Sequence, residues 1–204
     1  MNKKLKLTMQ ILSLSAIITA CGGGEEKKDE PVKDTVTTEE TPKEPEYKYT
    51  YKIAELDVKG RWAVTIGDST TVDQLGAFFG KNFPLLDKVT GNKKTKEAPM
   101  PLAIYYGFVP DKKFYTVAAI CVDDSTLKVK HPFQLKKLYR GKALCVNYFG
   151  AYEKTAQAYM DIEQYIKEKK YTPGDHVWEY YVTDPMIEKD TSKWQTDIYY
   201  PIGE

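Results

Sequence analysis

The sequence predicts an α+β domain in which duplicated β-α-β-β repeats form an antiparallel sheet with two helices and a central cleft. The order strand, helix, strand, strand occurs twice after Trp62, over about residues 62–122 and 140–202. Residues 104–106 align without gaps with residues 179–181, which supports a duplication. The aromatic runs 178–185 and 194–202 alternate in character and flank an Asp-Pro turn, a pattern typical of paired antiparallel strands.

The length and composition are those of one domain with an aromatic core. The chain has 204 residues, of which 16 are tyrosines and 13% are aromatic. Of the 30 basic residues, Lys3, Lys4 and Lys6 lie in a leader described next, which leaves 27 against 29 acidic residues. This balance gives no electrostatic case for nucleic acid as a partner.

The first 20 residues resemble a bacterial lipoprotein signal peptide. A basic start precedes an apolar run from Met9 to Ala20, which is too short to span a bilayer comfortably. The resemblance implies cleavage before Cys21, lipid on that cysteine and attachment to a membrane. An aspartate directly after the lipidated cysteine is associated with retention in the inner membrane. This sequence has Gly22 at that position, so we expect an outer membrane. We therefore expect a lipid-anchored protein of the cell envelope, periplasmic or surface-exposed; an ordinary secretory signal with an incidental cysteine is the alternative.

The residues after Cys21 are predicted to be a flexible tether. Gly, Glu, Lys, Thr and Pro dominate residues 21–48, and they cannot bury enough apolar surface to offset the entropy of ordering. The binding domain then covers residues 49–204, and residues 49–61 add a lead-in strand.

The first repeat is predicted to contain strands at 62–66, 102–108 and 114–122 and a helix over about 72–83. Thr71 and Gln74 have the spacing of a capping box at the start of this helix. Pro84 is expected to end the helix or to start another turn.

The second repeat is predicted to contain strands at 143–149, 177–183 and 195–200 and a helix over about 154–168. Tyr159, Ile162 and Ile166 form the apolar stripe of this helix. The basic run between the repeats, residues 128–140, is expected to be a solvated linker.

Glu179 is the candidate functional residue. Alternation along its strand places Glu179 and Tyr181 on one face and Trp178 on the other. A carboxylate on a strand otherwise suited to burial is paired, exposed at an edge, or functional. We interpret Glu179 as the floor of a ligand pocket; a rim glutamate or one ion-paired to a lysine is the alternative.

The asymmetry of the repeats indicates what the pocket binds. The gapless alignment sets Ile104 at the place of Glu179 and Tyr106 at the place of Tyr181, so one carboxylate would face an apolar wall. Such a pocket suits an amphipathic or cationic aromatic ligand. The predicted ligand-binding residues are Glu179, Tyr181, Tyr106, Ile104, Trp178 and Trp194.

The second repeat is similar to the GyrI-like small-molecule-binding family, which includes effector-binding domains of AraC-type and MerR-type regulators. The likeness is carried by residues 141–153, 178–185 and 196–202, above all by the strand with Glu179, Tyr181 and Asp184-Pro185. It implies that Glu179 binds cationic or polar ligands in an aromatic pocket, and Tyr181 falls on the tyrosine of the motif. Some members hydrolyse cyclopropane-bearing compounds with the same glutamate. No helix-turn-helix fits before Trp62, so promoter regulation does not carry over.

Other kinds of site find little support in the sequence. His131 and His176 stand apart from any Cys/His cluster with metal-ligand spacing, and neither a catalytic triad nor a phosphate-binding loop appears. No metal and no cofactor are expected. Cys121 and Cys145 would occupy an oxidising compartment, so either a disulfide or two buried thiols is compatible with the sequence.

The sequence therefore predicts a membrane-anchored protein that sequesters or senses a small amphipathic ligand, cationic or aromatic, in the cleft between the repeats. The first alternative is a hydrolase of electrophilic xenobiotics, in which Glu179 would be general acid or base and Tyr181 a hydrogen-bond donor. The second is a protein-interaction module with a closed cleft.

Overall fold

The structure, a computed structural model, describes residues 47–98, 100–109 and 111–203. The predicted signal peptide, the lipidation site Cys21 and the tether up to residue 46 lie outside the described residues. None of the helices in the described ranges is long and apolar enough to cross a membrane.

Nine strands and two α-helices lie in the part of the chain that the structure describes, and their order confirms the α+β fold class and the two β-α-β-β repeats. The strands are β1 (Ala54–Val58), β2 (Trp62–Thr70), β3 (Pro101–Tyr106), β4 (Phe114–Val122), β5 (Gln134–Lys137), β6 (Gly141–Phe149), β7 (Thr172–Pro173), β8 (His176–Tyr181) and β9 (Gln195–Gly203), and the helices are α1 (Leu75–Thr90) and α2 (Ala156–Lys169). The first repeat is β2-α1-β3-β4 and the second is β6-α2-β8-β9.

The strands form an antiparallel sheet in the order β1-β6-β9-β8-β3-β4-β2-β5, with β7 on β9. The chain passes from β1 to β2 through residues 59–61 and from β5 to β6 through residues 138–140. The amide of Leu138 donates to the carbonyl of Arg61 at 2.7 Å between these connections. Because so short a connection spans only about 14 Å, the two ends of the strand order lie side by side and the sheet curves round on itself.

The two faces of the curved sheet differ in what covers them. Ala118, Ala103, Glu179 and Ile198 stand side by side across β4, β3, β8 and β9 and therefore share one face. Helix α1 packs around Ala118 and helix α2 around Ile198, so both helices cover this helix face. The opposite face, called the inner face here, carries the row Ile104, Trp178 and Tyr199.

The alignment of residues 104–106 with 179–181 is wrong by one position. Ile104 and Tyr106 belong to the inner-face cluster, whereas Tyr105 packs on the helix face with Tyr181. A symmetry that relates two halves of one sheet keeps each side chain on its face, so Ile104 cannot be the counterpart of Glu179.

The strand pairing gives the correct register. Tyr105 stands opposite the buried Thr116, and Tyr181 stands opposite the buried Thr196. Tyr105 is therefore the counterpart of Tyr181, and Ala103, two residues earlier, is the counterpart of the glutamate.

Helix α1 differs from its prediction at both ends. No side-chain capping bond forms at Thr71; the backbone amide of Gln74 donates to its carbonyl at 3.0 Å because a short 3₁₀ turn precedes the helix. The helix also continues through Pro84 to Thr90. The buried Leu86 and Thr90 pack beyond the proline, so tertiary contacts override its low helix propensity.

The segments that flank the repeats also join the domain. The predicted linker at 128–140 contains β5, which pairs with β2. The lead-in strand is β1, and the residues before it are tied to α2 at Asp161. The carboxylate of Asp161 accepts hydrogen bonds from the hydroxyl of Tyr47 at 2.9 Å and from the amides of Thr50 and Tyr51 at 2.7 and 2.8 Å.

Candidate functional site

Glu179 lies at the middle of the helix face, where the two repeats meet. Strand β8 places it between Ala103 of β3 and Ile198 of β9, and only 8% of the residue is exposed. The strands around it are apolar, as expected for the centre of a sheet with one face under helices. A carboxylate at this position is buried by the architecture of the duplicated sheet.

Three tyrosine hydroxyls donate to this carboxylate. Tyr159 of α2 donates to Oε1 at 2.7 Å, while Tyr105 and Tyr181 donate to Oε2 at 3.1 and 3.0 Å. The hydroxyls of Tyr105 and Tyr181 are themselves 2.9 Å apart. The four side chains form one hydrogen-bonded cluster, named here the Glu179 site.

Burial dominates the electrostatics of the site. Burial raises the pKa of Glu179 above its ordinary value, although the hydrogen bonds from Tyr159, Tyr181 and Tyr105 act in the opposite direction. Burial, together with the charge of Glu179, also raises the pKa of each of the three tyrosines well above its ordinary value, so their hydroxyls remain donors at neutral pH.

The carboxylate of Glu179 has no positively charged partner among the residues that the structure describes. No lysine, arginine or histidine in the described part of the chain forms an ion pair with Glu179, and only burial and the tyrosines shift its pKa. Burying an ion without a counter-charge costs several kcal/mol, and hydrogen bonds from neutral hydroxyls offset only part of that cost. Glu179 is therefore a buried carboxyl group whose hydrogen-bond partners are all neutral hydroxyls.

Aromatic rings close the space around the site. Phe79 of α1 meets the rings of Tyr105 and Tyr181 edge to face at 6.2 and 6.1 Å. Phe83 lies 5.8 Å and Tyr152 5.1 Å from the ring of Tyr181. These rings come from α1 and from the turn before α2, so separation of those two elements would open the site.

The site is asymmetric although its framework is duplicated. The 3₁₀ turn before α2, Tyr152–Lys154, follows the one before α1, Val72–Gln74, by 80 positions, and Tyr159 follows Phe79 by the same 80 positions. Phe79 therefore occupies in the first repeat the place that Tyr159 occupies in the second, as Ala103 occupies the place of the glutamate. The second repeat supplies the carboxylate and two of its donors, and the first repeat supplies the third donor, Tyr105, together with the apolar surface of Phe79.

The structure brings together only part of the predicted pocket. Glu179 and Tyr181 lie in one site, and Trp194 lies at its edge, where its ring is 4.8 Å from that of Tyr152. Ile104, Tyr106 and Trp178 lie on the inner face, on the other side of the sheet. The predicted residues therefore lie on two faces of the sheet and do not line a single pocket.

Sequence reasoning missed the other members of the Glu179 site as ligand-contacting residues. Tyr105 lies between two predicted residues and was excluded by the one-residue error in the alignment. Tyr159 was correctly placed on the buried stripe of α2, but its hydrogen bond to Glu179 depends on how the helix crosses the sheet. The phenylalanines of α1 carry an ordinary core pattern and give no further signal.

The two cysteines of the domain are free and buried. Sγ of Cys121 lies 3.5 Å from the hydroxyl of Tyr180, and burial raises its pKa. Burial also raises the pKa of Cys145, to about 11. Within the described ranges, no group of three or more His, Cys, Asp or Glu side chains could hold a metal ion.

Comparison with known proteins places this fold among ligand-binding domains. Residues 72–202 match the model of the GyrI-like small-molecule-binding domain. EcmrR in its complex with DNA is similar, with a TM-score of 0.68 and 16% identity over 76% of this chain, which spans 58% of that chain. The EcmrR C-terminal domain alone has a TM-score of 0.67 and 15% sequence identity, and the match covers 76% of this chain and 99% of that chain.

Two further structures have the same fold. A hydrolase from Listeria innocua gives a TM-score of 0.59 and 10% identity over 77% of this chain and 94% of that chain. The structure of SAV2435 bound to tetraphenylphosphonium has a TM-score of 0.55 and 16% sequence identity, and the match covers 75% of this chain and 93% of that chain. No curated protein matches the sequence.

Proposed function

Because this chain belongs to the GyrI-like small-molecule-binding family, we propose that it binds an amphipathic organic cation at the Glu179 site. One observation carries the proposal: the carboxylate of Glu179, in a residue that is 8% exposed, has three hydroxyl donors and no cationic partner within the described ranges. A bound cation would supply the missing counter-charge, so the folded protein gains more from a positive ligand than from a neutral one.

The surroundings of Glu179 favour a ligand whose cation carries aromatic or aliphatic groups. The rings of Phe79, Phe83 and Tyr152 offer apolar area and the negative faces that attract a cation. Tetraphenylphosphonium, the molecule bound to SAV2435, has this character: a single positive charge under four aromatic rings. It is therefore the first probe to use.

Binding would require the aromatic cover to move. Phe79 and Phe83 stand on α1, while Tyr159 and Tyr152 stand on α2 and the turn before it. A ligand would enter by displacing these rings from Tyr181, and its own groups would take their place. A closed site was also expected for a protein-interaction module, but such a module has no need of a buried carboxylate without a counter-charge.

A hydrolase is the second candidate, favoured by the raised pKa of Glu179. Burial raises the pKa of Glu179, and a carboxyl group that keeps its proton to a higher pH is better suited to act as a general acid. Tyr181 would hydrogen-bond the substrate. Turnover of an electrophilic cyclopropane-bearing compound that disappears in Glu179→Gln would establish this activity, whereas binding without turnover would leave the first proposal standing.

The location proposed for this function is the cell envelope. The leader ending at Cys21 supports lipid attachment there, and the tether would give the domain reach from the membrane. Metabolic labelling with a fatty acid tests the proposal: the wild-type chain should incorporate label and Cys21→Ser should not.

The ligand charge can be tested with two probes of one shape. Tetraphenylphosphonium and tetraphenylborate are tetrahedral, carry the same four rings and differ in the sign of their charge. A ligand present at 100 times its Kd stabilises the folded state by about 2.7 kcal/mol, which corresponds to about 5–11 °C in Tm for a domain of this size. We expect this shift with the phosphonium and none with the borate. Equal shifts would contradict a role for the charge of Glu179.

A further inference from the structure

The inner face of the sheet holds a cavity of about 250 Å³, on the opposite side of the sheet from Glu179. A smaller cavity of about 30 Å³ shares part of its wall. The residues common to both are Ile104, Leu138, Tyr139 and His176. Leu138 and Tyr139, from the connection between β5 and β6, line both cavities, and Lys59 and Arg61 line the smaller one.

The walls of this inner cavity present flat aromatic rings. The ring of His176 stacks on Tyr106 at 5.1 Å and on Trp178 at 5.8 Å, and Tyr139 meets His176 at 5.7 Å. Asp175 lies 2.7 Å from Nδ1 of His176 and so restrains the orientation of the ring. Rings held in this way offer stacking surface to a planar ligand.

Gly67 leaves space for the ring of Tyr115, which forms part of the cavity wall. The ring of Tyr115 lies against Gly67 on the neighbouring strand, where a Cβ atom would collide with the tyrosine hydroxyl. Tyr115 and Val117 line the same cavity. A larger residue in place of Gly67 would push Tyr115 into the space.

The charge of the inner cavity is positive. Lys136 and Lys137 line it, and neither has an ion-pair partner among the residues that the structure describes. Lys137 stands opposite Trp62, which packs on the helix face, so the side chain that belongs to the inner face is that of Lys136. Lys136 stands opposite Ala63, which belongs to the inner-face cluster. Arg61, at the smaller cavity, is paired with Glu97 at 2.7 Å. No acidic residue of the described ranges lines either cavity.

We propose that the inner cavity is a second binding site, which takes a small planar aromatic anion. The rings of Tyr106, Tyr139 and His176 would stack on the ligand, and Lys136, whose side chain belongs to the inner face, would hold its acidic group. A cavity of about 150 Å³ accommodates benzene, so 250 Å³ admits one ring or two fused rings.

This second site reverses the chemistry of the first and does not depend on it. The Glu179 site offers a carboxylate under phenylalanine and tyrosine rings on the helix face. The inner site offers the lysine Lys136 beside stacked rings, and the thickness of the sheet separates the two sites. The two sites are therefore expected to bind their ligands independently.

The test uses the full chain and two probes of one size, naphthalene-2-carboxylate and 2-naphthylmethylammonium, titrated by calorimetry. The wild type should bind the carboxylate, and Lys136→Gln/Lys137→Gln should lower that affinity about tenfold or more, because a charge-assisted bond contributes about one to two factors of ten. Glu179→Gln is the matched control and should leave carboxylate binding unchanged. The lysine changes should leave any binding of the ammonium probe unchanged.

A competition experiment separates the two sites. Saturating tetraphenylphosphonium should not displace the naphthalene carboxylate if the sites are distinct. Displacement, loss of carboxylate binding in Glu179→Gln, equal affinity of the lysine variant, or no binding by the wild type would each overturn the proposal. Because both lysines are on the surface, circular dichroism of the variant should match that of the wild type.

Discussion

Replacing Tyr159 by phenylalanine measures how much one hydrogen bond stabilises the buried carboxylate of Glu179. The hydroxyl of Tyr159 donates to Oε1 at 2.7 Å, whereas Tyr105 and Tyr181 both donate to Oε2. Tyr159→Phe therefore leaves Oε1 without its donor. Phenylalanine already occupies the equivalent place in the first repeat, at Phe79, so the shape of the site should tolerate the change.

The expected loss follows from the charge of the acceptor. A hydrogen bond to an ionised group contributes about 1.5–3 kcal/mol, which corresponds to a decrease in Tm of about 3–12 °C for a domain of this size. Burial already raises the pKa of Glu179, and loss of the donor raises it further. The folded state then holds its proton to a higher pH, so the loss of stability is small in acid and grows as the pH rises through the pKa of Glu179.

Urea denaturation from pH 4 to pH 9 checks this prediction. Tyr152→Phe is the control, because the hydroxyl of Tyr152 reaches only the carbonyl of Thr183, at 3.5 Å. That variant should lose little stability, with no dependence on pH between 4 and 9. If the two variants lose the same free energy of unfolding, or if the loss in Tyr159→Phe does not change with pH, the idea of an ionised, uncompensated Glu179 is wrong.

Three further predictions concern protons and buried groups. Affinity for tetraphenylphosphonium should rise with pH through the raised pKa of Glu179, and calorimetry in buffers of different protonation enthalpy should detect proton release; binding that is independent of pH would contradict this. Asp161→Ala should lower the free energy of unfolding at pH 7 by about 2–4 kcal/mol, because two backbone amides lose their acceptor, whereas Glu168→Ala, which frees one exposed tyrosine hydroxyl, should cost far less. Burial alone would raise the pKa of Asp161, but its hydrogen bonds outweigh burial and lower it, so its contribution to stability should persist at neutral pH and disappear as the pH falls below about 4. With the leader cysteine replaced by serine, Cys121 and Cys145 should react with a thiol reagent only as fast as the protein unfolds, because burial raises both pKa values; rapid labelling of the folded protein would contradict their burial.

The strands and helices could be predicted from the sequence because each is specified by the local periodicity of its apolar residues. Alternation defined β8 and β9, and the 3.6-residue period defined the buried stripe of α2 with Tyr159. The same alternation placed Glu179 and Tyr181 on one face, which the structure confirms.

Details that depend on register could not be read from so short a repeat. A shift of one residue exchanges the two faces of a strand, and the match at residues 104–106 was too short to fix the shift. Ile104 and Tyr106 were therefore assigned to the face that belongs to Tyr105. Strand β5 was missed for another reason: its lysines are typical of a linker, and its pairing with β2 rests on backbone hydrogen bonds that leave no side-chain pattern.

The curvature of the sheet could not be predicted from the sequence either. It depends on the meeting of residues 59–61 with residues 138–140, which are distant in the chain and joined through a backbone hydrogen bond. Leu138 and Tyr139 from this meeting point form part of the wall of the inner cavity. Trp178 and Tyr106 were predicted as ligand contacts, and the structure places them near this cavity instead of the Glu179 site.

Calorimetric titration of tetraphenylphosphonium into the wild type and Glu179→Gln is the most direct measurement of the binding proposed here. Glutamine keeps an acceptor for the tyrosine hydroxyls and removes the charge, and truncation of a buried charge partner costs about 2–5 kcal/mol. We expect the wild type to bind and the variant to bind at least about 30-fold more weakly, with circular dichroism showing the same fold. Equal affinity of the two proteins would show that Glu179 is not the counter-charge of the ligand.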